Sequence, residues 1–216
     1  MNNIDTVIFD LDGTLINSLE DLRTSVNYAL FGFRYPKQTL EQVRNNVGNG
    51  IEKLVERSLP DGKNNINFEV CLNIFKEHYA KNMAVNTKPY PHIVEMLATL
   101  KSRGYKIAVV SNKFDAAVKP LCSKFFKKLI DTAIGQTKET KKKPAPDSVY
   151  AVLDDLDSDI EHTIFVGDSE VDIQTAKNAN IPCISVSWGY KTKEFLQQNG
   201  AKIIIDTPLE IFRYLN

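Results

Sequence analysis

Three short apolar runs, each closing on a small or acidic residue, constrain the fold more than any other feature. They are Thr6-Val7-Ile8-Phe9 before Asp10, Ile107-Ala108-Val109-Val110 before Ser111, and Thr163-Ile164-Phe165-Val166 before Gly167. Being apolar without alternation, they offer water no polar face, so they read as strands buried on both sides, as in a parallel sheet. Fainter runs at Thr132-Ala133-Ile134, Ile184-Ser185-Val186 and Ile203-Ile204-Ile205 continue the style. Between them lie helical stripes: Ile93, Met96, Leu97 and Leu100, with Gly104 as the stop; Val149, Val152, Leu153 and Leu156; and Ile173, Ala176 and Ala179. From residue 89 onward helix and strand alternate, which predicts an α/β fold built on an open parallel sheet with right-handed crossovers.

One stretch interrupts that alternation. Roughly 75 residues separate the first strand from Pro89 without a convincing strand, a length better suited to an inserted unit than to a loop. Three apolar faces at helical spacing fill it: Leu15, Leu19, Leu22, Val26 and Leu30; Ile51, Leu54, Val55 and Leu59; and Val70, Ile74 and Phe75 with Tyr79. The expected organisation is a core of residues 1–15 and 89–216 and a helical lobe of residues 16–88. Lys88-Pro89-Tyr90-Pro91 is the return linker, because proline disfavours continuing a helix, and the segment from Gly62 to Asn67 is a surface loop. A chain of 216 residues suits one core and a smaller lobe.

Lys+Arg and Asp+Glu are 27 each, so the formal net charge is zero. That speaks against a nucleic-acid partner, which selects for a basic excess. No apolar run approaches the ~20 residues of a membrane span, and the N-terminus lacks a basic segment followed by an apolar one. A cytoplasmic protein with no membrane partner is expected. Cys71, Cys122 and Cys183 are isolated and read as reduced apolar residues. His78, His92 and His162 show no ligand spacing.

The chemistry concentrates at strand ends, where open α/β sheets bind ligands. The first strand runs into Asp10-Leu11-Asp12-Gly13-Thr14, with two carboxylates two residues apart on one side of an extended chain. One can attack phosphorus, and the other can protonate a leaving oxygen and then activate water. The pair could equally cap the next helix. The second strand runs into Ser111-Asn112-Lys113, where a hydroxyl and backbone N–H groups could hold phosphate oxygens, or where a serine could simply cap a helix. Lys143-Pro144-Ala145-Pro146 could present a cation to phosphate, or be the end of a solvated charge run with Lys138, Lys141 and Lys142. The fourth strand runs into Gly167-Asp168-Ser169, with Asp172 four residues after Asp168. These acids suit Mg²⁺ or a helix N-terminus.

The four motifs in this order resemble the signatures of the haloacid dehalogenase superfamily of phosphatases, and the match spans the whole chain. The resemblance implies a Rossmann-like core with strand order 3-2-1-4-5 and a helical cap inserted after the first strand. It implies Asp10 as nucleophile and Asp12 as general acid/base. Mg²⁺ would be held by the Asp10 side chain, the Asp12 backbone carbonyl and Asp168, with Asp172 nearby; Ser111, Asn112 and Lys143 would bind phosphate. The superfamily's dehalogenases and phosphonatases lack an acid at the Asp12 position, so its presence fits cleavage of a C–O–P linkage. Within the superfamily the chain is most similar to phosphoglycolate phosphatases, whose glycine-bearing cap loop resembles Val47-Gly48-Asn49-Gly50-Ile51. There Gly48, Asn49 and Gly50 would meet the substrate, with the helix that follows offering N–H groups to its carboxylate; a plain loop-to-helix turn explains the same residues. Asn17, where many relatives carry an acid, and His92, where many carry glycine, depart from the pattern.

The expected protein is therefore a Mg²⁺-dependent phosphatase acting on a small phosphorylated metabolite, as a monomer or homodimer. Three other readings use the same residues or fold: a phosphosugar mutase, an inorganic pyrophosphatase, and a non-catalytic regulatory module.

Overall fold

The computed structural model describes residues 4–137 and 139–215; Lys138 of the charge run lies outside them. Two compact units emerge, one formed by residues up to Ile16 together with those from Pro89 on, the other by Asn17–Lys88.

The first unit is organised by its apolar runs. Strand β1 (Thr6–Phe9) is buried along its whole length. The chain leaves this unit through the short β2 (Ile16–Asn17) and returns through β3 (Lys88–Pro89), two brief strands that the sequence did not announce. After α5 (Ile93–Ser102) come β4 (Lys106–Phe114), α6 (Asp115–Phe126), β5 (Thr132–Gln136) and α7 (Asp147–Leu156). Then follow β6 (Thr163–Gly167), α8 (Glu170–Asn178), β7 (Cys183–Val186), α9 (Lys193–Gln198) and β8 (Ile203–Ile205). The main sheet runs β5-β4-β1-β6-β7-β8, parallel throughout. This is the expected 3-2-1-4-5 order with a sixth strand, β8, added beyond the fifth; Ile203–Ile205 supplies its three apolar residues.

Strand β1 pairs with β4 on one side and β6 on the other, so it is the point at which the strand order reverses. Such a switch opens a crevice at the carboxyl ends of the strands, and the motifs lie there. One face of the sheet is sealed by Ile8, Ala108, Val110 and Phe165 against Val149, Val152 and Leu153 of α7 and Ala176 of α8. Full burial of each large apolar side chain contributes about 1.5–3 kcal/mol.

In the second unit, α1 (Leu19–Phe31) buries Leu19, Leu22, Val26, Ala29 and Leu30. Leu15, expected on that stripe, precedes the helix. A helix with no apolar stripe legible in the sequence, α2 (Leu40–Asn46), opens with a capping box in which Thr39 and Gln42 bond each other's backbone N–H. It is followed by α3 (Ile51–Ser58) and α4 (Phe68–Asn82). The buried face of α4 is Phe68, Cys71, Leu72, Phe75 and Tyr79; it includes Phe75 and Tyr79 of the expected stripe, whereas Val70 is exposed. The two departures noted in the sequence have local explanations. Asn17 Oδ1 accepts the Leu19 N–H at 3.2 Å, a task an acid could equally perform at this helix start. His92 sits at φ 64°, the left-handed region where glycine is at ease. Among the described residues no helix is long and apolar enough to cross a membrane.

Candidate active site

Seven of the expected site residues lie at the carboxyl ends of β1, β4 and β6, at the start of α8 or in the segment before α7. Asp10 follows β1 directly, and its backbone N–H donates to the Val166 carbonyl of β6 at 2.9 Å. Lys143 reaches in from the loop before α7, where its bond to Pro144 is cis. The Lys143 ammonium donates to Asp10 Oδ1 and to Asp172 Oδ1, both at 2.7 Å. Asn112 Nδ2 donates to the Lys143 carbonyl at 3.1 Å, so this side chain anchors the lysine's loop. The lysine that the charge run made ambiguous is thus buried, at 4% exposure.

Ser111 and Asn112 lie within β4 rather than beyond it. Pairing between β4 and β5 slips here: Val110 faces Ile134 and Phe114 faces Gln136, four residues against two. The surplus residues bulge from the ladder, a distortion that re-aims side chains next to functional sites. Ser111 Oγ accepts the Lys113 N–H at 3.2 Å.

Lys113 has no role legible in the sequence. Its ammonium donates to both oxygens of Asp12 at 2.9 Å, and its side chain is almost wholly buried. Two lysines therefore serve three aspartates, Lys143 with Asp10 and Asp172 and Lys113 with Asp12. The only signal in the sequence was its place in Ser111-Asn112-Lys113, which does not tell a solvated lysine from an inward one.

Asp168 lies just before α8 rather than on it, because the helix starts at Glu170. Asp172 is the third helical residue and closes a capping box. Its Oδ2 accepts the Ser169 N–H at 3.1 Å and the Ser169 hydroxyl at 2.7 Å, while its Oδ1 accepts Lys143. Asp172 is thus both a helix cap and a partner of the lysine.

Asp10, Asp168 and Asp172 each offer an oxygen within 4.8 Å of the others, all buried. Burial, then repulsion from Asp172 and Asp12 against the opposing pull of Lys143, pushes Asp10 up from 3.8 to about 7. Asp168 is raised well above its ordinary range by burial and then by Asp10 and Asp172. Burial alone would lower Lys143, but the charges of Asp10 and Asp172 outweigh it and hold the lysine above its ordinary value. Three carboxylates facing one ammonium leave an excess of negative charge, which a small divalent cation liganded by oxygen would offset. The donor set fits such an ion.

The remaining expected residues, Gly48, Asn49 and Gly50, belong to the helical unit. Gly48 and Gly50 have φ of 125° and 87°, and Gly50 is the N-cap of α3. Arg57 braces this loop, donating to Asn49 Oδ1 at 2.8 Å and to the Asn46 carbonyl at 3.0 Å.

Comparison with known proteins decides the family. Residues 7–186 match the model of the haloacid dehalogenase-like hydrolases. The chain belongs to that family. A phosphoglycolate phosphatase of Aquifex aeolicus is 34% identical over 189 residues, 85% of each chain. One of Haemophilus influenzae is 36% identical over 215 residues, 96% of each. A solved structure from Lactobacillus delbrueckii subsp. bulgaricus, provisionally assigned as a phosphoglycolate phosphatase, is 31% identical. It superposes with a TM-score of 0.94 over 99% of this chain and 98% of its own. The chain is a phosphoric monoester hydrolase, and its core carries an acid cluster suited to a divalent metal.

Proposed function

We propose that this hydrolase removes phosphate from a small phosphorylated acid of the phosphoglycolate kind, with Mg²⁺ as its metal and a phosphoryl group carried on Asp10. The observation that carries the reading is the Lys143 bridge. It holds Asp10 at the end of the central strand, in one buried cluster with Asp168 and Asp172, while Asp12 is paired separately with Lys113.

In this reading Asp10 attacks phosphorus in line, and Asp12 gives a proton to the departing alkoxide oxygen. Asp12 then takes a proton from the water that cleaves the acyl phosphate, which releases inorganic phosphate and restores Asp10. Lys143 and the backbone N–H groups around Ser111 and Asn112 meet the negative charge that spreads over the phosphoryl oxygens. Asp10 and Asp168 would hold Mg²⁺ with the Asp12 carbonyl, and the ion would supply further neutralisation of that charge. Asp172, with both oxygens already engaged, serves as the outer partner that orients Lys143. The same proposal assigns the chemistry to the core unit and recognition of the rest of the substrate to the helical unit, with Gly48, Asn49 and Gly50 as its anion-facing loop. The relatives named for phosphoglycolate support this choice of substrate.

The test is phosphate release from a panel containing phosphoglycolate, a hexose 1-phosphate and inorganic diphosphate. Release from phosphoglycolate should require Mg²⁺ and vanish on adding chelator. Asp10→Asn should remove turnover entirely while leaving a folded chain, and a variant as active as the wild type would refute the assignment. Formation of hexose 6-phosphate without free phosphate would instead identify a mutase.

A further inference from the structure

The segment Trp188-Gly189-Tyr190, just beyond β7, belongs to none of the four motifs, yet it touches both Asp168 of the acid cluster and the turn after Asp12. The Tyr190 backbone N–H donates to Asp168 Oδ2 at 2.7 Å. The Trp188 indole Nε1–H donates to the Thr14 carbonyl at 3.0 Å, and so grips the turn that carries Asp12 and Gly13. Gly189 is pressed between the two. A Cβ built on it would stand 2.3 Å from Asp168 Cβ, 2.5 Å from Asp168 Oδ2 and 2.6 Å from the Gly13 carbonyl oxygen. Gly13 meets the same carboxylate, since a Cβ on it would lie 2.3 Å from Asp168 Oδ2.

These contacts have a definite mechanical effect. Asp168 is 3% exposed, so no solvent shell orients it. A hydrogen bond to one oxygen, with backbone packed against its Cβ and carboxylate, stops the group from rotating and therefore sets where the other oxygen lies. A metal ligand fixed in this way binds its ion without first surrendering rotational freedom, and partners one shell out from a metal tune affinity accordingly. The side chains of the segment need not touch substrate at all. What matters is one N–H at Tyr190, no Cβ at Gly189, and one indole N–H at Trp188.

We propose that Trp188, Gly189 and Tyr190 form a clasp that sets the metal affinity of the site by locking Asp168 against the Asp12–Thr14 turn. They are positioning residues, and the proposal rests on the reading above that Asp168 is a metal ligand. Were the loop merely packing, its variants would lower the melting temperature and leave metal affinity alone.

Direct titration of Mn²⁺, followed by the electron paramagnetic resonance of the free ion, reads affinity without any turnover. The full chain would be compared with Asp168→Asn, Gly189→Ala and Trp188→Phe, and each variant checked for folding by circular dichroism. Asp168→Asn should lose Mn²⁺ binding. Gly189→Ala, which forces Asp168 or the Gly13 turn to move, should weaken it by about 10–100-fold. Trp188→Phe keeps an aromatic ring at the position and deletes the indole N–H, so a smaller loss in the same direction is expected. At saturating metal the KM for substrate should stay near the wild-type value in both clasp variants. A folded Gly189→Ala protein with wild-type Mn²⁺ affinity would overturn the clasp; if that variant does not fold, wild-type affinity in Trp188→Phe would do so. Failure of the wild-type chain to bind Mn²⁺ at all would instead overturn the metal reading, and the clasp with it.

Discussion

Asp21 in the helical unit and Asp10 in the core unit are both withdrawn from water, at 2% and 7% exposure, yet they are displaced in opposite directions. Asp21 accepts from five donors. These are the backbone N–H groups of Val85, Asn86 and Thr87, the Asn86 side-chain amide and the Thr87 hydroxyl, at 2.8–3.1 Å. Burial pushes its pKa up, but the hydrogen bonds from Thr87 and Asn86 outweigh burial and hold the group below the usual carboxylate value. Asp10 has an ammonium at 2.7 Å and is nonetheless raised to about 7, because burial comes with other acids close by. The contrast separates two uses of a buried carboxylate. One surrounded by neutral donors is complete and ties chain segments together. One surrounded by other carboxylates is incomplete until a cation or a phosphoryl group arrives.

The largest test of that contrast is Lys143→Met. It deletes the one ammonium shared by Asp10 and Asp172 and leaves both carboxylates buried without it. Breaking a buried pair in this way costs about 3–5 kcal/mol, to be read from urea denaturation in the presence of chelator. Phosphate release should fall by at least about 10²-fold, the scale of losing one charge-stabilising group. If stability and turnover both stay near wild type, the core acids are not short of positive charge and the contrast collapses.

At the other corner, Asp21→Asn keeps the shape but swaps one acceptor oxygen for a donor that, in either amide orientation, faces N–H groups of Asn86 or Thr87. The charge-assisted bonds are worth about 1.5–3 kcal/mol each at most, and a loss of about 2–3 kcal/mol is expected. Turnover of the folded variant, by contrast, should stay near wild type. A variant of wild-type stability but lost activity would place Asp21 with the functional acids instead.

The core's strands were legible because a strand buried on both faces carries an unbroken apolar run, and β1, β4 and β6 each contain one, Val7–Phe9, Ile107–Val110 and Ile164–Val166. Asp10 and Asp168 were legible because strand ends at a switch point are where an open sheet meets ligands. Lys113 and the Trp188–Tyr190 segment were not, for a common reason. Their importance lies in contacts across more than 20 residues of sequence, Lys113 with Asp12 and Tyr190 with Asp168, and no local period encodes such a meeting. Asp21 was hidden likewise, since its donors at 85–87 lie 64 or more residues away. In α4 Phe75 and Tyr79 of the expected stripe are on the buried face but Val70 is not, because Val70 and Ile74 satisfy the same spacing as the true face through Cys71 and Phe75.

The smallest expected effect, and the one that tests both corners at once, is the pH dependence of stability without metal. Asp10 has an ordinary value of 3.8 and lies at about 7 in the folded chain. Between those values the folded chain keeps a proton that the unfolded chain has released, so the stability tied to that proton is full in acid and is lost as the pH rises toward 7. Asp168, also raised, acts in the same sense. Asp21 acts in the opposite sense: its lowered value gives stability that is present above the ordinary carboxylate range and lost below it. From about pH 5 to about pH 8 Asp21 has finished changing; the core acids lower stability as the pH rises, while His78, whose value burial and Lys81 lower from 6.5, acts the other way, so urea denaturation in chelator should show a net fall, with each pKa unit of a core acid's shift worth about 1.4 kcal/mol. Asp10→Asn should flatten that slope, and Asp21→Asn should leave it as steep as in the wild type. Added Mg²⁺ competes with protons for the same oxygens, so its stabilising effect should grow across this range. A metal-free chain whose stability rises with pH would mean that the core acids are satisfied as fully as Asp21, and the distinction between the two corners would be lost.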